Sequence, residues 1–463
     1  MKPRLVIVGA GLAGSVIASR LADHYAVTVV DLGPKPAPLP FPIIDTDHQA
    51  RLQPHAGSGP GGTTNYWNNG LIELEDDDFS SWPIEKRDLD RYYPAAFETL
   101  SKTRAESFKE AHGELTRRYR ERGVPESLLA NGLFYPRRRY NIWNLLRVGR
   151  SDVTFVTAKA LRFDVRGAGA VSAVVVQTPS GEERIEGDLF VSCAGGLSTP
   201  LLIQATAKRH GLTHLGAAGR YYHDHPSGPL GQVRLNLKLH DLWNFTRRGL
   251  AGNVWLPLIV RQAGLKFAFQ LRPVVQLWPH QRRHKLKSVL IDLRNAPLKL
   301  SNYVKLVQNS DDIVEILSFK LGLKWPTSRF SVWVLAEQPP NGTVARNGEY
   351  AIARNCEYDP VYRAKIRAAF DTFIKSFGPA ATDVTFFPDS EAELSSGAHH
   401  SGTCRMAASS ASGVCDRDAA VFGFSNLFVC DGSLIPQAGY ANTGLTIGAL
   451  ALRLCDTLKE RYA

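Results

Sequence analysis

Gly9-Ala10-Gly11-Leu12-Ala13-Gly14 stands between an apolar run, Leu5-Val6-Ile7-Val8, and a stretch of helical periodicity, and Asp31 closes the next apolar run. Glycines at this spacing let a backbone turn sharply and approach a pyrophosphate held at the start of the following helix. An acidic residue about twenty positions on is placed to accept hydrogen bonds from ribose hydroxyls. The arrangement serves a bound dinucleotide, and by itself it does not separate NAD from FAD. Far along the chain, His399 and His400 adjoin Ser401-Gly402-Thr403-Cys404, and Asn442 precedes another helical pattern. An imidazole titrates near working pH, whereas a carboxamide donates hydrogen bonds without titrating. His223 and His225 have no third ligand at a workable spacing, so no metal is expected. Cys404 reads as a buried, inert thiol.

The elements that must position these residues show a βαβ texture: strand 4–8, a glycine turn, helix 12–23 and strand 26–31. The Pro-, Gly- and His-rich stretch 34–62 reads as loop. Helical texture returns between Arg87 and Arg122, after Trp82-Pro83. A meander is expected over 153–193, from the runs Val153–Val156, Val171–Gln177 and Arg184–Val191. From Leu230 to Phe387, alternating runs such as Phe267–Leu271 and Phe330–Leu335 predict a separate, mostly antiparallel sheet. Strand 427–431 and helix 443–459 resume the first fold. The fold class is therefore α/β: a Rossmann-like dinucleotide domain, with a parallel sheet plus β-meander, and a second α+β substrate domain on a mostly antiparallel sheet. The expected division is 1–80, 151–229 and 388–463 for the first, and 81–150 and 230–387 for the second.

The 463 residues suffice for two or three connected domains with a large core, and 44% apolar with 21% charged residues is ordinary for a globular protein. No run approaches the roughly eighteen apolar residues of a spanning helix. The N-terminal apolar run reads as the first strand rather than a signal sequence. Six cysteines without a CxxC pair point to reduced thiols and a cytoplasmic setting. A formal charge of +11, with basic runs Arg137-Arg138-Arg139 and Arg282-Arg283-His284-Lys285, has no nucleic-acid motif beside it. Solvated surface is the first reading; an anionic substrate, an acidic partner or anionic lipid are the others. The basic, amphipathic stretch 293–323 could cover the site or make a peripheral membrane contact. Tryptophans 243, 255, 278, 325 and 333 supply aromatic surface suited to sugars or apolar scaffolds, though core is the commoner use.

Further landmarks follow in order: Gly61-Gly62-Thr63-Thr64-Asn65-Tyr66-Trp67, Asp78-Phe79, Trp82-Pro83-Ile84, Tyr92-Tyr93-Pro94, and Ala194 to Leu202. Then come Gly219-Arg220-Tyr221 with Asp224-His225-Pro226, His399 to Met406, Asn426 to Pro436, and Asn442 four residues before Thr446. Together they resemble the glucose-methanol-choline (GMC) family of FAD-dependent oxidoreductases, including its HxxGTCRM, NLxVxDGSxxP and NPxxT elements. The chain is short for that family and looks nearest to its sugar- and cholesterol-oxidase-like branches. Thr443 stands where the family has proline, which leaves the local backbone less constrained.

The resemblance implies that FAD is held by Gly9, Gly11, Gly14, Asp31, Gly61, Gly62, Thr63, Thr64, Asn65, Ala160, Ala194, Gly195, Asp431, Gly432, Asn442 and Thr443. It implies non-covalent attachment, because Tyr66 stands where sugar oxidases carry the histidine that bonds to the flavin. It makes His399 the base and Asn442 the hydrogen-bond donor for a small alcohol or sugar, with His400 in a supporting place. Asn442 is equally a natural helix N-cap. Glu337 closes a strand that in cholesterol-oxidase-like members delivers a glutamate to the substrate; an edge-of-sheet carboxylate is the alternative. The competing functions are a hydroxynitrile-lyase type that keeps FAD without redox use, a monooxygenase or amine oxidase sharing only the dinucleotide fold, and a basic scaffold that catalyses nothing. The electron acceptor, whether oxygen, a quinone or a protein, is not written in the chain.

Overall fold

A computed structural model of the chain describes residues 2–45, 56–67, 69–138, 141–145, 152–167, 169–274, 296–311, 326–348, 351–355 and 358–462, with residues 289, 293, 313, 314, 317 and 324. The basic run 282–285, Arg139, Trp278, Trp325 and Cys356 lie outside these residues, as does part of the stretch 293–323.

Leu5-Val6-Ile7-Val8 is apolar at every position because its strand, Arg4–Val8, sits in the middle of a parallel sheet and is covered on both faces. The strand order is Leu427–Val429, Leu189–Ser192, Arg4–Val8, Ala26–Asp31 and Val153–Thr157, every neighbouring pair parallel. Helix Leu12–Leu21 makes the crossover between Arg4–Val8 and Ala26–Asp31 and packs against the closing helix Gly444–Tyr462.

The expected meander needs correcting at both ends. Its three antiparallel strands are Lys159–Arg166, Ala170–Thr178 and Gly181–Glu186. Val153–Thr157 belongs instead to the edge of the parallel sheet, and the run Arg184–Val191 is broken in two. The break falls at Gly187-Asp188: Asp188 accepts a hydrogen bond from the Arg4 amide at 2.8 Å, which hands the chain from the meander into the parallel sheet. The stretch 34–62, read as loop, carries the short strands Ala37–Pro38, Ile43–Asp45 and Gly57–Ser58, and Ile43–Asp45 pairs with Ala351–Asn355.

The antiparallel sheet runs Leu258–Gln262, Leu265–Pro273, Arg329–Ala336, Ser227–Leu235 and Ala381–Phe386. Alternation divides its second strand: Phe267, Phe269 and Leu271 are buried together, and Phe269 stacks on Phe373 of helix Pro360–Ser376 with centroids 4.4 Å apart. Gln270 and Arg272 alternate with them, and Gln270 lies opposite Trp333. The Arg272 guanidinium rests on the Trp333 ring at 3.8 Å and near Trp255 at 5.5 Å. Trp255 meets Tyr135 edge-on at 5.1 Å, where strand Gly252–Trp255 pairs with Leu133–Pro136. This gives the sheet an aromatic and polar side facing away from its packed helix.

Helix Leu300–Gln308, within the described part of the expected amphipathic stretch, exposes Leu300, Val304 and Val307 beside Lys305. Among the described residues no helix is long and apolar enough to cross a membrane. The five described cysteines are buried and unpaired.

Phe269→Ala should cost about 3–5 kcal/mol in chemical denaturation, because it leaves a cavity against Phe373. Val361→Ala, at a position 62% exposed on the same helix, should stay within about 0.5 kcal/mol of the parent.

Candidate active site

At the head of the parallel sheet, the turn Gly9-Ala10-Gly11 leads into the first helix with no side-chain cap, so the helix presents bare backbone N–H groups. Gly9 has φ +108°, and any side chain there would strike the Cys193 carbonyl; one at Gly14 would strike the Gly9 carbonyl. The second glycine segment lies directly on this turn, with the Gly61 amide donating to Ala10 O at 2.8 Å. Thr63, Thr64 and Asn65 are occupied in shaping that segment: Thr64 donates to Gly61 O at 2.5 Å, Asn65 to Gly62 O at 2.9 Å, and Thr63 Oγ1 accepts from Gly57.

Asp31 ends its strand with Oδ2 accepting from Ala10 N at 2.7 Å and Oδ1 accepting from Leu32 N at 2.7 Å and Gly59 N at 2.6 Å. Burial pushes its carboxyl above the usual range, against these backbone donors. A cavity opens beside it, lined by Gly9, Asp31, Ala160 and Ala194 together with apolar Val30, Leu39, Phe41 and Leu201. An apolar slot, one largely buried carboxylate at its edge and a helix start without a side-chain cap suit a dinucleotide. Asp431, by contrast, is spent within the protein: Oδ2 takes Gly195 N at 2.8 Å and Thr199 Oγ1 at 2.6 Å, while Oδ1 takes the Ser433 amide and hydroxyl. It ties the start of helix Gly195–His210 to residues 431–434, and through that places Gly195 and Gly432.

His399 and Asn442 meet on a line of hydrogen bonds that also takes in His225 and Gly439. Asn442 Nδ2 lies 3.0 Å from His399 Nε2, His399 Nδ1 lies 2.8 Å from His225 Nδ1, and His225 Nε2 lies 2.7 Å from the Gly439 carbonyl. The carbonyl can only accept, so His225 carries its proton on Nε2 and offers a lone pair at Nδ1. His399 must then donate from Nδ1, which leaves the Nε2 lone pair to accept from the Asn442 amide. Burial drives both rings toward the neutral form this needs, His399 down to about 4 and His225 to about 3.

Asp224 sets the backbone around the line. Oδ1 accepts from the amides of His225 at 2.7 Å and His399 at 2.8 Å, and Oδ2 accepts from Ser396 Oγ. Ser396 Oγ in turn accepts from Ala398 N, and Ala398 adopts a left-handed φ of +58° immediately before His399. Burial works to raise the Asp224 carboxyl, but its surroundings, His400 and buried Arg354 foremost, hold it well below the usual range. His400 faces elsewhere: its Nδ1 hydrogen-bonds with Tyr222 OH at 2.9 Å, and that hydroxyl accepts from Arg354 at 3.1 Å. Its carbonyl fits between Gly196 and Gly432, where any side chain would collide with it.

The N-cap reading of Asn442 fails on position, since the helix begins at Gly444 and its carboxamide is engaged with His399. Thr443 occupies the cap, its carbonyl accepting from Ile447 N. Glu337 is not brought to the line. Its Oε2 accepts from the Lys266 amide at 2.8 Å and its Oε1 from Gln437 at 2.6 Å, in a separate cavity of about 300 Å³ with Asp77, Asp78 and Lys266. Burial pushes Glu337 up to about 7 there. Glu75, Asp77 and Asp78 converge beside it in metal-like fashion, but the Lys266 ammonium lies among all three. Two residues that the sequence carried only as part of the Asp-His-Pro landmark, Asp224 and His225, support His399 directly, by its backbone amide and its Nδ1; the only available signal was their adjacency in Asp-His-Pro. Facing Asn442 across Gly70 are Tyr135 and Leu133. Trp67 Nε1 and Asn69 Oδ1 are buried nearby without a hydrogen-bond partner among the described residues, as expected of groups that complete their bonding on a ligand.

Residues 347–451, which hold the His399 to Met406 and Asn426 to Pro436 landmarks and Asn442, match the family model described as GMC oxidoreductase, so the resemblance to that family stands for this part of the chain. No curated protein matches the sequence significantly. Solved structures share the fold over the full length. Pyridoxine 4-oxidase from Mesorbium loti superposes with a TM-score of 0.65 at 15% identity, covering 100% of both chains. An FAD-dependent oxidoreductase from Chaetomium thermophilum gives 0.61 at 16%, again over 100% of both. A formate oxidase variant from Aspergillus oryzae gives 0.60 at 16%, over 99% of each. The chain thus has the α/β architecture of these oxidoreductases.

Buried His223, lowered to about 4, joins His225 and His399 in favouring the neutral form. An unfolded imidazole takes up its proton near pH 6.5. These groups therefore stabilise the fold fully above about pH 6.5 and lose that contribution as the pH falls toward their folded values. The thermal midpoint should drop across this window, and His223→Asn should drop less steeply; parallel slopes would remove His223 from the account.

Proposed function

We propose that the chain binds FAD non-covalently and oxidises a hydroxyl group of a small alcohol, sugar or polyol to a carbonyl. The single observation that carries this reading is His399 Nε2, left without a proton of its own, accepting from the Asn442 amide at 3.0 Å. Gly9, Gly11, Gly14 and Asp31 would hold the adenosine and pyrophosphate portion at the first helix, with Ala160 and Ala194 along the slot. Gly61, Gly62, Gly195, Gly432 and Thr443 would approach the rest, toward Trp67 and Asn69. When bound, FAD supplies the acceptor for the carbon-bound hydrogen.

The chain's own part is proton handling. The substrate hydroxyl replaces the hydrogen bond between Asn442 and His399: His399 Nε2 takes the hydroxyl proton, and the Asn442 carboxamide, released from the ring, donates to the oxygen as negative charge grows on it. A base held neutral by burial stays available throughout the neutral range. Asp224 steadies the charge His399 acquires. Glu337 has no place in this step, being committed to Lys266 and Gln437. Tyr135, Trp255 and Trp333 offer the hydroxyl's carrier an aromatic wall. The lyase alternative is less favoured, because the similar structures named above are two oxidases and an FAD-dependent oxidoreductase.

Anaerobic addition of alcohols, sugars, sterols and glycosides to the yellow protein should bleach it near 450 nm (roughly where oxidised flavins absorb) with one class. A turnover that leaves the colour intact would establish the lyase reading instead. His399→Ala should slow bleaching by ~10²–10⁴ while FAD stays bound. Acid precipitation should release the colour into the supernatant; colour retained on the polypeptide refutes non-covalent attachment.

A further inference from the structure

We propose that His225 is a positioning residue for His399: through its Nδ1 it holds the base in the one tautomer that leaves Nε2 bare toward Asn442. This rests on the reading of His399 as the base.

The geometry leaves the ring little freedom. His225 is fully buried, and its Nε2 is anchored on Gly439 O, so Nδ1 is directed at His399. The two rings stand at 70° with centroids 5.0 Å apart, an edge-to-face approach that suits one N–H pointing at one lone pair. Asp224 holds both residues by their amides, and so fixes the separation of the two Cα positions rather than touching either ring. Gly397 completes the fit, since a side chain there would meet His225 O at 2.6 Å and His399 Nδ1 at 3.1 Å. An imidazole acceptor differs from a carboxylate in this place. It fixes the tautomer of its neighbour without adding negative charge, so it orients the base without pulling the proton from Nδ1. Gly439 belongs to the same loop as Asn442, so one short segment sets both ends of the line.

Two substitutions separate the ring's two bonds. Asn places Oδ1 where Nδ1 lies and keeps the acceptor for His399; Gln places an amide where Nε2 lies and keeps only the bond to Gly439. In holoprotein labelled with ¹⁵N-histidine, His399 is assigned by loss of its signals in His399→Gln. Long-range ¹H–¹⁵N correlations should show its Nε2 without a proton in the parent and in His225→Asn, and a mixture of tautomers in His225→Gln. With FAD content unchanged, bleaching should stay within ~10-fold of the parent in His225→Asn and slow by ~10² in His225→Gln. A protonated Nε2 in the parent, or equal rates in the two variants, overturns the proposal. Should no alcohol bleach the parent, the proposed function falls, while the nitrogen spectrum still decides the tautomer.

Discussion

Two buried imidazoles whose Nδ1 atoms lie 2.8 Å apart can be stable only if one of those atoms carries a proton and the other does not. Around that requirement the candidate site is organised. A carbonyl at one end of the line and a carboxamide at the other remove the remaining choices, and burial keeps both rings from charging. The cost of holding polar groups out of water is met by giving each ring nitrogen a partner.

Three separated stretches must arrive together for this to hold. Tyr222 to Pro226 leads into the antiparallel sheet, Ser396 to Ser401 follows that sheet, and Gln437 to Asn442 precedes the last helix of the parallel sheet. Asp224 joins the first two, and the Gly439 carbonyl joins the first and third. The left-handed Ala398 is tolerated because Ser396 and Asp224 bind the turn on both sides. Asp431 does the corresponding work at the other end of the site, anchoring the Gly195 helix to the strand that ends in Val429.

Much of the fold was legible in local pattern. Leu5 to Val8 followed by the glycine turn announces a parallel strand because a strand covered on both faces must be apolar throughout. The alternation in Phe267 to Leu271 announces an antiparallel one because only one face meets a helix. The stretch 153–193 was misdivided, since Val153–Thr157 and the meander strands have the same β-rich composition, and only pairing partners distinguish them. In the site, Glu337 was placed by analogy of strand, yet Lys266 and Gln437 claim both of its oxygens.

From residue order alone came the dinucleotide turn with Asp31 and the resemblance to GMC oxidoreductases, which in turn singled out His399 and Asn442, because each landmark is a set of types and spacings within a short run. The tertiary structure alone decided that His400 turns to Tyr222 and that His225 faces His399 between the Gly439 carbonyl and Asn442, the contacts from which the protons of that pair are inferred. A hydrogen bond between residues 174 positions apart leaves no periodicity in the sequence. Its direction is set by a carbonyl, Gly439 O, that every residue type would have supplied.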